Sequence, residues 1–469
     1  MPIILISFYG SNFARSSPWT VVTGKQAYVH ESSMSATQTL PSESVTIARA
    51  SITNSIFGVA SRAMSGFSRA GIMLLIAGKY GPTLFGKLAL AISMMEIFRA
   101  FSEFGLDTVA IRRFSKETAP ERTELLAQIV SSKVVAAAVC YAVSFLIMFM
   151  LAGDSLTLLL SAIASLSLFT ANLVGAFSSY YQSQLKMSEV FPPTLISFGL
   201  YLVISVALIF SHVSLALVIC LLPACELLNA GQLYRKISHV PRFDFHFSRT
   251  VSLFKESLPL GLMAAMMLLY VRLDNIFIFK FIGSAALGIY AAGFRIVEPA
   301  LMIPHAFSIS LFTILSSHNH ESLARKELLQ AVLHSMWPAY LFICCAGAAL
   351  VLEGKSILGH FGGSYLAAYP VLQILSVVLV VRTLNITLTS IVNSRGQYST
   401  LAKITASNLV VNIVLVVLLI PAFGIQGAAW AAFGTELWNL IAQATCVMAK
   451  TPTEAPPIYG LLSVEPESE

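Results

Sequence analysis

The stretch YGPTLFGKLALAISMMEIFRAFSEFGLDTVAIRRFS, residues 80–115, contains a pattern that recurs later in the chain. Its first part, residues 80–91, is echoed by IGSAALGIYAAG at 282–293, with small residues in register at an offset of 202. In register are Gly81 with Gly283, Gly86 with Gly288 and Ala89 with Ala291. The same offset carries Glu96 onto Glu298. Because a carboxylate is rare and costly inside an apolar helix, this match indicates an internal duplication with charges at matching depths.

The composition indicates that the chain is embedded in a lipid bilayer. Hydrophobic residues make up 56% of the 469 residues and charged residues only 11%, whereas soluble domains carry about 25% charged residues. The apolar segments are long enough to cross a membrane as helices. The sequence therefore predicts an all-α integral membrane protein.

The hydropathy pattern and the repeat predict about twelve spans, in two pseudo-repeated halves of six helices each. The spans are 52–77, 84–108, 124–151, 155–178, 190–211, 213–236, 258–281, 286–314, 327–352, 369–392, 400–421 and 424–447. The predicted domains are a disordered cytoplasmic extension (1–50), a first bundle (51–236), a cytoplasmic linker (237–257), a second bundle (258–447) and a disordered tail (448–469). The linker is expected to be either an amphipathic surface helix or a plain connection.

Charges on the connections predict the orientation in the membrane. Fourteen Lys and Arg residues lie on one set of connections, whereas the alternate connections hold only Lys79, Lys280 and Lys355. The positive-inside rule places the richer set, and with it both termini, in the cytoplasm. Because the positive charges are spread over five short loops, nucleic-acid binding is not expected.

Charged residues inside the predicted spans are the candidate functional residues. The candidate substrate-binding residues are Arg62, Arg69, Arg99, Arg272, Arg295 and Arg382. The candidate carboxylates for ion coupling or ion pairing are Glu96, Asp274 and Glu298. Exposure of these charges to lipid would cost at least about 2.5–3.5 kcal/mol each, so they are expected to face a cavity or each other.

Two interpretations of these charges stay open from the sequence. Arg295 with Glu298 and Glu96 with Arg99 are one turn apart, so intrahelical ion pairing is an alternative to a substrate role. Arg62, Arg69 and Arg382 have no carboxylate neighbour on their own helix, which favours a place in a cavity. Arginine suits such a place because its guanidinium binds phosphate in a bidentate manner.

Prolines interrupt several predicted spans. Pro299 and Pro304 lie in the eighth span, Pro223 in the sixth and Pro338 in the ninth. At each proline the helix is expected either to be broken next to a cavity or to be kinked while it packs against neighbouring helices. No metal-ligand cluster, P-loop or other Gly-rich phosphate loop is found in the sequence, so neither an enzyme activity nor a cofactor is expected.

Residues 80–115, YVRLDNIFIFKFIGSAALGIYAAGFRIVEP (270–299) and FGIQGAAWAAFGTELWNLI (423–441) resemble the bacterial polysaccharide flippases, the Wzx-type O-antigen and exopolysaccharide translocases. Their superfamily includes multidrug-and-toxin extrusion antiporters and lipid II flippases. The resemblance covers essentially 45–447. It implies two six-helix bundles around a central cavity, with alternating access in the bacterial inner membrane. The implied substrate is a polyprenyl-diphosphate-linked oligosaccharide, moved from the cytoplasmic to the periplasmic leaflet for O-antigen, capsule or exopolysaccharide biosynthesis.

The resemblance also implies partners and leaves rivals open. Membrane lipids, a polysaccharide polymerase and a chain-length regulator are the implied partners. The first rival function is a cation-coupled multidrug antiporter of the same fold, but an arginine-rich cavity suits cationic drugs poorly. The second is a membrane-embedded polymerase or glycosyltransferase, which would need a larger ordered loop than this chain offers.

Overall fold

The computed structural model describes residues 42–237, 245–316 and 325–449. All contacts given below lie within the unit Arg49–Glu469. The predicted extension 1–50, the centre of the 237–257 linker and the predicted tail from 448 fall wholly or largely outside the described residues.

The secondary structure of the described residues is helical. The α-helices are α1 (Ser42–Glu103), α2 (Leu106–Phe114), α3 (Ala119–Leu151), α4 (Ser155–Ser165), α5 (Ser167–Ser183), α6 (Met187–Phe210), α7 (Leu215–Arg235), α8 (Phe247–Phe281), α9 (Ser284–Val297), α10 (Met302–Ser316), α11 (Arg325–Gly359), α12 (Tyr369–Ser394) and α13 (Tyr398–Met448). Short 3₁₀ turns at Glu298–Leu301 and Gly363–Ala368 precede α10 and α12. We call α1–α7 the first-half helices and α8–α13 the second-half helices.

Helix lengths and apolar character are consistent with twelve crossings. In the described part of the chain, nine helical segments are long and apolar enough to span a membrane. One of these, α13, has 51 residues and bends at Gly424, so it provides two of the predicted spans. Helix α1 lies outside those nine, but its 62 residues, about 90 Å if straight at 1.5 Å per residue, also bend, at Gly81. Since a bilayer core is about 30 Å thick, each bent helix is long enough for two crossings.

The two glycines that open the repeated segment have the same unusual backbone. Gly81 has φ 77° and Gly283 has φ 113°, conformations that favour glycine because it lacks a Cβ. Gly81 lies at the bend of α1, and Gly283 precedes the first residue of α9. The duplication is therefore visible in the backbone as well as in the sequence.

Only some of the prolines break their helices. The eighth predicted span is interrupted by the 3₁₀ turn Glu298–Leu301, which contains Pro299. Pro223 and Pro338 instead lie inside continuous helices, α7 and α11. A proline removes one backbone hydrogen bond. Of these three prolines, Pro299 lies where the α-helix is interrupted, whereas the helices continue through Pro223 and Pro338.

Helix α8 begins earlier than the predicted seventh span. It starts at Phe247 and runs to Phe281, so the end of the predicted linker, 247–257, is continuous with the span. A separate surface helix is therefore not formed by those residues. The hydropathy pattern missed this because the first turns of α8 carry Arg249, Lys255 and Glu256.

Apolar side chains both fill the interior and cover the outside of the molecule. Phe85 and Leu88 of α1 pack in one fully buried cluster with Leu287 and Tyr290 of α9. On the outside, large apolar side chains such as Leu352 are up to 79% exposed. An apolar exterior is what contact with lipid requires.

Candidate functional site

A cavity of about 230 Å³ lies between first-half and second-half helices. Its walls come from both limbs of α1, from α6 and α7, and from α8, α9 and the turn at Pro299. Five charged side chains line it: Arg69, Glu96, Arg272, Arg295 and Glu298. At about 30 Å³ per water, the space holds about eight waters. Three guanidinium groups against two carboxylates give the lining a positive formal charge.

Four of these side chains form one network, which we call the quartet: Glu96, Arg272, Arg295 and Glu298. Arg272 lies between the two carboxylates, with its Nε 2.5 Å from Glu96 Oε2 and its Nη2 3.1 Å from Glu298 Oε1. Arg295 Nη1 lies 3.0 Å from Glu298 Oε2, and Arg295 Nη2 lies 3.8 Å from Glu96 Oε1. The two carboxylates that the duplication relates therefore meet on the same pair of arginines.

The two carboxylates of the quartet differ in how they are held. Glu298 accepts hydrogen bonds from both Arg272 and Arg295. Glu96 approaches both arginines without hydrogen-bond geometry. Its Oε2 and the Nε of Arg272 are buried atoms that have no hydrogen-bond partner among the described residues. Arg272 is also fixed by packing over the Phe294 ring, 5.6 Å from its centroid.

Arg69 is the cavity arginine outside the quartet. Its guanidinium carbon lies 5.6 Å from the centroid of the Phe198 ring, and its Nε donates to the Ser65 carbonyl at 3.2 Å. In the described part of the chain, no carboxylate lies within ion-pairing distance of Arg69. Tyr201, whose ring packs on Phe198 at 6.3 Å, also lines the cavity. The Arg69 guanidinium thus has donors left for a ligand.

The remaining predicted residues lie elsewhere. Arg62 is exposed, and neither Arg62 nor Arg99 is part of the cavity lining. Arg382 pairs with Glu436 of α13, Nε to Oε1 at 2.7 Å. Asp274 is buried and accepts a hydrogen bond from the Tyr290 hydroxyl at 3.0 Å, outside the quartet.

Intrahelical pairing explains only one of the predicted neighbour pairs. Arg295 and Glu298 do pair. Glu96 turns instead to Arg272 and Arg295 on other helices, and Arg99 forms no ion pair with it. Phe198 and Tyr201 are not among the residues predicted from the sequence, although their spacing of three residues places both rings on one helix face.

Direct contacts between the halves lie on both sides of the cavity. At the end we call the glycine end, Gly86 of α1 packs against Gly288 of α9, and the Tyr365 hydroxyl donates to the Ala77 carbonyl at 2.8 Å. At the opposite end, the Glu256 end, Glu256 of α8 binds both Arg112 and Arg113 of α2. Glu96 lies between these ends, about 15 Å along α1 from Gly86 at 1.5 Å per residue.

Comparison with known protein families shows the family of this chain. The family described as "Polysaccharide biosynthesis protein" matches residues 80–359, more than half of the sequence. The chain belongs to this family. This confirms the resemblance seen in the sequence.

A curated relative points the same way. Over 163 residues the chain is 24% identical to the "Probable low-salt glycan biosynthesis flippase Agl15" of Haloferax volcanii. The match covers 34% of this chain and 34% of that protein, so the chain matches about a third of the relative's length.

Solved structures show the fold. The lipid II flippase MurJ in an inward closed conformation matches with a TM-score of 0.64 and 17% identity, over 85% of this chain and 88% of that one. An inward-facing multidrug resistance MATE transporter of the MOP superfamily matches with a TM-score of 0.61 and 13% identity, over 82% and 93%. At these identities the likeness concerns the fold. The chain therefore has the multi-pass helical membrane fold of these two proteins.

Proposed function

We propose that this protein flips a polyprenyl-diphosphate-linked oligosaccharide from the cytoplasmic to the periplasmic leaflet, by alternating access, for O-antigen, capsule or exopolysaccharide biosynthesis. The proposal rests first on family membership, which ties the chain to polysaccharide biosynthesis. The observation that carries it is a positively charged cavity inside a bilayer-spanning fold, with Arg69 unpaired among the described residues. A lipid-linked sugar diphosphate is anionic at the sugar–lipid junction, where such a cavity would hold it.

The residue types in the cavity suit that ligand. Arginine forks bind phosphate oxygens in pairs and stay charged at any physiological pH. Away from water, charge–charge attraction is several-fold stronger than in solution. The aromatic rings of Phe67 and Tyr201, which line the cavity together with Arg69, offer apolar faces for a sugar ring. The prenyl chain would stay in the surrounding lipid.

We infer that the halves are closed on both sides of the cavity, because direct contacts join them at the glycine end and at the Glu256 end. Ligand pockets for small molecules usually measure about 300–1,000 Å³, and this cavity has about 230 Å³. An oligosaccharide cannot enter without a separation of the two halves. Contacts at the glycine end and at the Glu256 end are the ones that such a movement would break in turn.

A cation-coupled multidrug antiporter remains the second candidate because the fold is shared with MATE transporters. The buried Asp274, outside the quartet, is the carboxylate that favours it. The positive lining argues against a cationic drug, since like charges repel strongly at low dielectric. Asp274 is equally compatible with ion-coupled flipping of an anionic substrate.

Localisation and partners follow from the same proposal. We place the protein in the bacterial inner membrane with both termini in the cytoplasm, on the distribution of loop charges. A polysaccharide polymerase and a chain-length regulator would act on the flipped product.

Export of surface polysaccharide tests the function. The gene is deleted in its host and restored as wild type, Arg69→Ala or Arg69→Lys. Arg249→Ala is the control, because Arg249 is exposed and pairs with Glu124 outside the cavity. Surface polysaccharide is stained and protein abundance is measured by immunoblot. We expect loss of export in the deletion strain and in Arg69→Ala at normal abundance, with partial rescue by lysine. Unchanged polysaccharide in the deletion strain would contradict the proposed function.

A further inference from the structure

Glu96 is the carboxylate that joins the two halves inside the cavity. It lies on α1, a first-half helix, whereas both arginines that it contacts, Arg272 and Arg295, lie on second-half helices. Glu298 shares its half with both arginines and is three residues from Arg295. The quartet is thus held across the halves through Glu96 alone.

Glu96 contacts the arginines through ion pairs, whereas Glu298 forms aligned hydrogen bonds as well. Glu298 accepts a hydrogen bond from each arginine. The Glu96 oxygen nearest to Arg272 accepts none, and the Nε of Arg272 donates none among the described residues, although both atoms are buried. An ion pair without aligned hydrogen bonds is held by charge attraction, so an anion that aligns with both guanidinium groups can compete with Glu96 for them.

We propose that Glu96 is a built-in stand-in for the substrate anion: in the closed protein its carboxylate occupies the place on Arg272 and Arg295 that a phosphate group of the lipid-linked substrate takes on binding. This inference rests on the proposed function, because it gives the diphosphate a defined pair of ligands. Glu298 stays in place and keeps both guanidinium groups oriented. Arg69, across the same cavity, is left for the second phosphate or for an acidic sugar.

Charge explains why the exchange is favourable. With Glu96 bound, the cavity lining has a formal charge of about one positive unit, which is a modest attraction for an anion. When Glu96 is released, three guanidinium groups face the ligand against one carboxylate. A phosphate group brings more oxygens than a carboxylate and can bind both arginine forks at once. The Nε of Arg272, which forms no hydrogen bond with Glu96, then gains an acceptor.

The exchange couples binding to movement. Because Glu96 belongs to one half and the arginines to the other, replacing Glu96 removes an ionic contact between the halves and leaves the substrate bound to second-half helices. Competition for the same donors is reciprocal, so whatever holds Glu96 in place weakens anion binding, and a bound anion weakens the contact between halves. Binding of substrate would thereby release the closed conformation.

Binding of inorganic pyrophosphate tests the inference. The full chain is purified into phosphatidylcholine nanodiscs, and pyrophosphate is titrated by calorimetry into wild type, Glu96→Gln, Glu298→Gln and the double variant Glu96→Gln with Arg272→Ala. We expect Glu96→Gln to lower the Kd by about fivefold or more, within the usual range for coupled binding. Glu298→Gln should give a smaller gain or a loss because the arginines lose their hydrogen-bonded anchor. The double variant should lose the gain.

Each result has a defined meaning. A gain in Glu298→Gln equal to that in Glu96→Gln, or no gain in Glu96→Gln, overturns the stand-in role. Absence of pyrophosphate binding in every protein overturns it as well. If Glu96→Gln does not fold, Glu96→Asp serves instead, since the shorter side chain draws the carboxylate away from Arg272 and should lower the Kd in the same direction.

Failure of this inference and failure of the proposed function are distinguishable. If the wild-type protein supports polysaccharide export but Glu96→Gln binds pyrophosphate no more tightly than wild type, the stand-in role of Glu96 is contradicted and the proposed function is not. If Glu96→Gln binds pyrophosphate more tightly but the deletion strain has normal surface polysaccharide, the proposed function is contradicted. The cavity would then still be an anion site with a displaceable carboxylate.

Discussion

Gly86 and Gly288 hold equivalent positions in the two halves of the chain, and they pack directly against each other. A Cβ built on Gly86 would lie 1.8 Å from the Ser284 carbonyl oxygen, and one on Gly288 would lie 1.9 Å from the Pro82 carbonyl oxygen. Ser284 and Pro82 are themselves 202 residues apart, the offset of the repeat. The contact is therefore reciprocal: each glycine meets, in the other half, the residue that corresponds to the one its partner meets.

Addition of a single methyl group at this crossing should destabilise the closed conformation. We expect Gly86→Ala and Gly288→Ala each to lower the free energy of unfolding by about 1–3 kcal/mol, the usual effect of overpacking. Gly199→Ala is the control, because nothing lies within 4 Å of its built Cβ and alanine favours helix by up to about 1 kcal/mol. Thermal unfolding of the purified proteins measures the difference. Equal stability of Gly86→Ala and Gly199→Ala would contradict the close packing.

Features that repeat along one helix could be predicted from the sequence. The duplication, the bilayer spans and the depth of the charged residues follow from residue types at fixed spacing. The bends at Gly81 and Gly424 fall where two predicted spans were separated by a few residues. Their glycine-dependent backbone is local, so the sequence contains the information.

Pairing between helices could not be predicted in the same way. Arg382 and Glu436 are 54 residues apart, and nothing in their local sequence indicates that α12 and α13 bring them together. Glu96 has an arginine one turn away, yet it contacts Arg272 and Arg295 because helix packing places those groups closer. The start of α8 was missed for a related reason: its polar first turns are balanced by Arg112 and Arg113 on α2, a contact invisible to hydropathy.

Removal of Arg272 should leave the carboxylates of the quartet without their shared counter-charge. Its side chain is only 7% exposed and contacts both Glu96 and Glu298. Arg272→Ala should lower the free energy of unfolding by about 3–5 kcal/mol, the usual effect of breaking a buried ion pair from one side. Adding Glu298→Gln to that variant should restore part of the loss, and Arg272→Lys should lose less than alanine because a charge remains.

The stability of the Arg272 variants is measured by their abundance in membranes and by thermal unfolding of the purified proteins. Arg249→Ala provides the matched control, since its partner Glu124 is exposed and surface ion pairs contribute little. A stable Arg272→Ala protein that has lost polysaccharide export would assign the residue to substrate rather than to structure. Normal stability with normal export would contradict both roles.

Orientation in the membrane is testable at two exposed positions. Lys186 precedes α6 on a predicted cytoplasmic connection, and Glu353 lies near the opposite end of α11. With the native cysteines replaced, a cysteine at 353 should react with an impermeant maleimide in intact spheroplasts, and one at 186 only after permeabilisation. The positive-inside rule sets this expectation. Labelling at 186 in intact spheroplasts would reverse the proposed direction of transport.

The Glu256 end of the cavity offers a position for a covalent lock. The hydroxyl oxygens of Ser132 on α3 and Thr250 on α8 lie 2.8 Å apart, across the boundary between first-half and second-half helices. Cysteines at both positions, on a background without native cysteines, should form a disulfide under a mild oxidant, because the side chains already approach within bonding reach. Mobility on non-reducing gels measures the yield, and each single-cysteine variant is its control.

Alternating access predicts the effect of that lock. If the halves separate at the Glu256 end during transport, the oxidised double-cysteine protein in proteoliposomes should bind substrate poorly and lose flipping of a lipid-linked sugar diphosphate. Reduction should restore activity, and the single-cysteine variants should be insensitive to oxidant. The lock acts far from the cavity charges, since Thr250 and Arg272 both lie on α8, 22 residues or about 33 Å apart at 1.5 Å per residue. Full activity of the cross-linked protein would therefore show that this end stays closed and that substrate enters by separation of other helices.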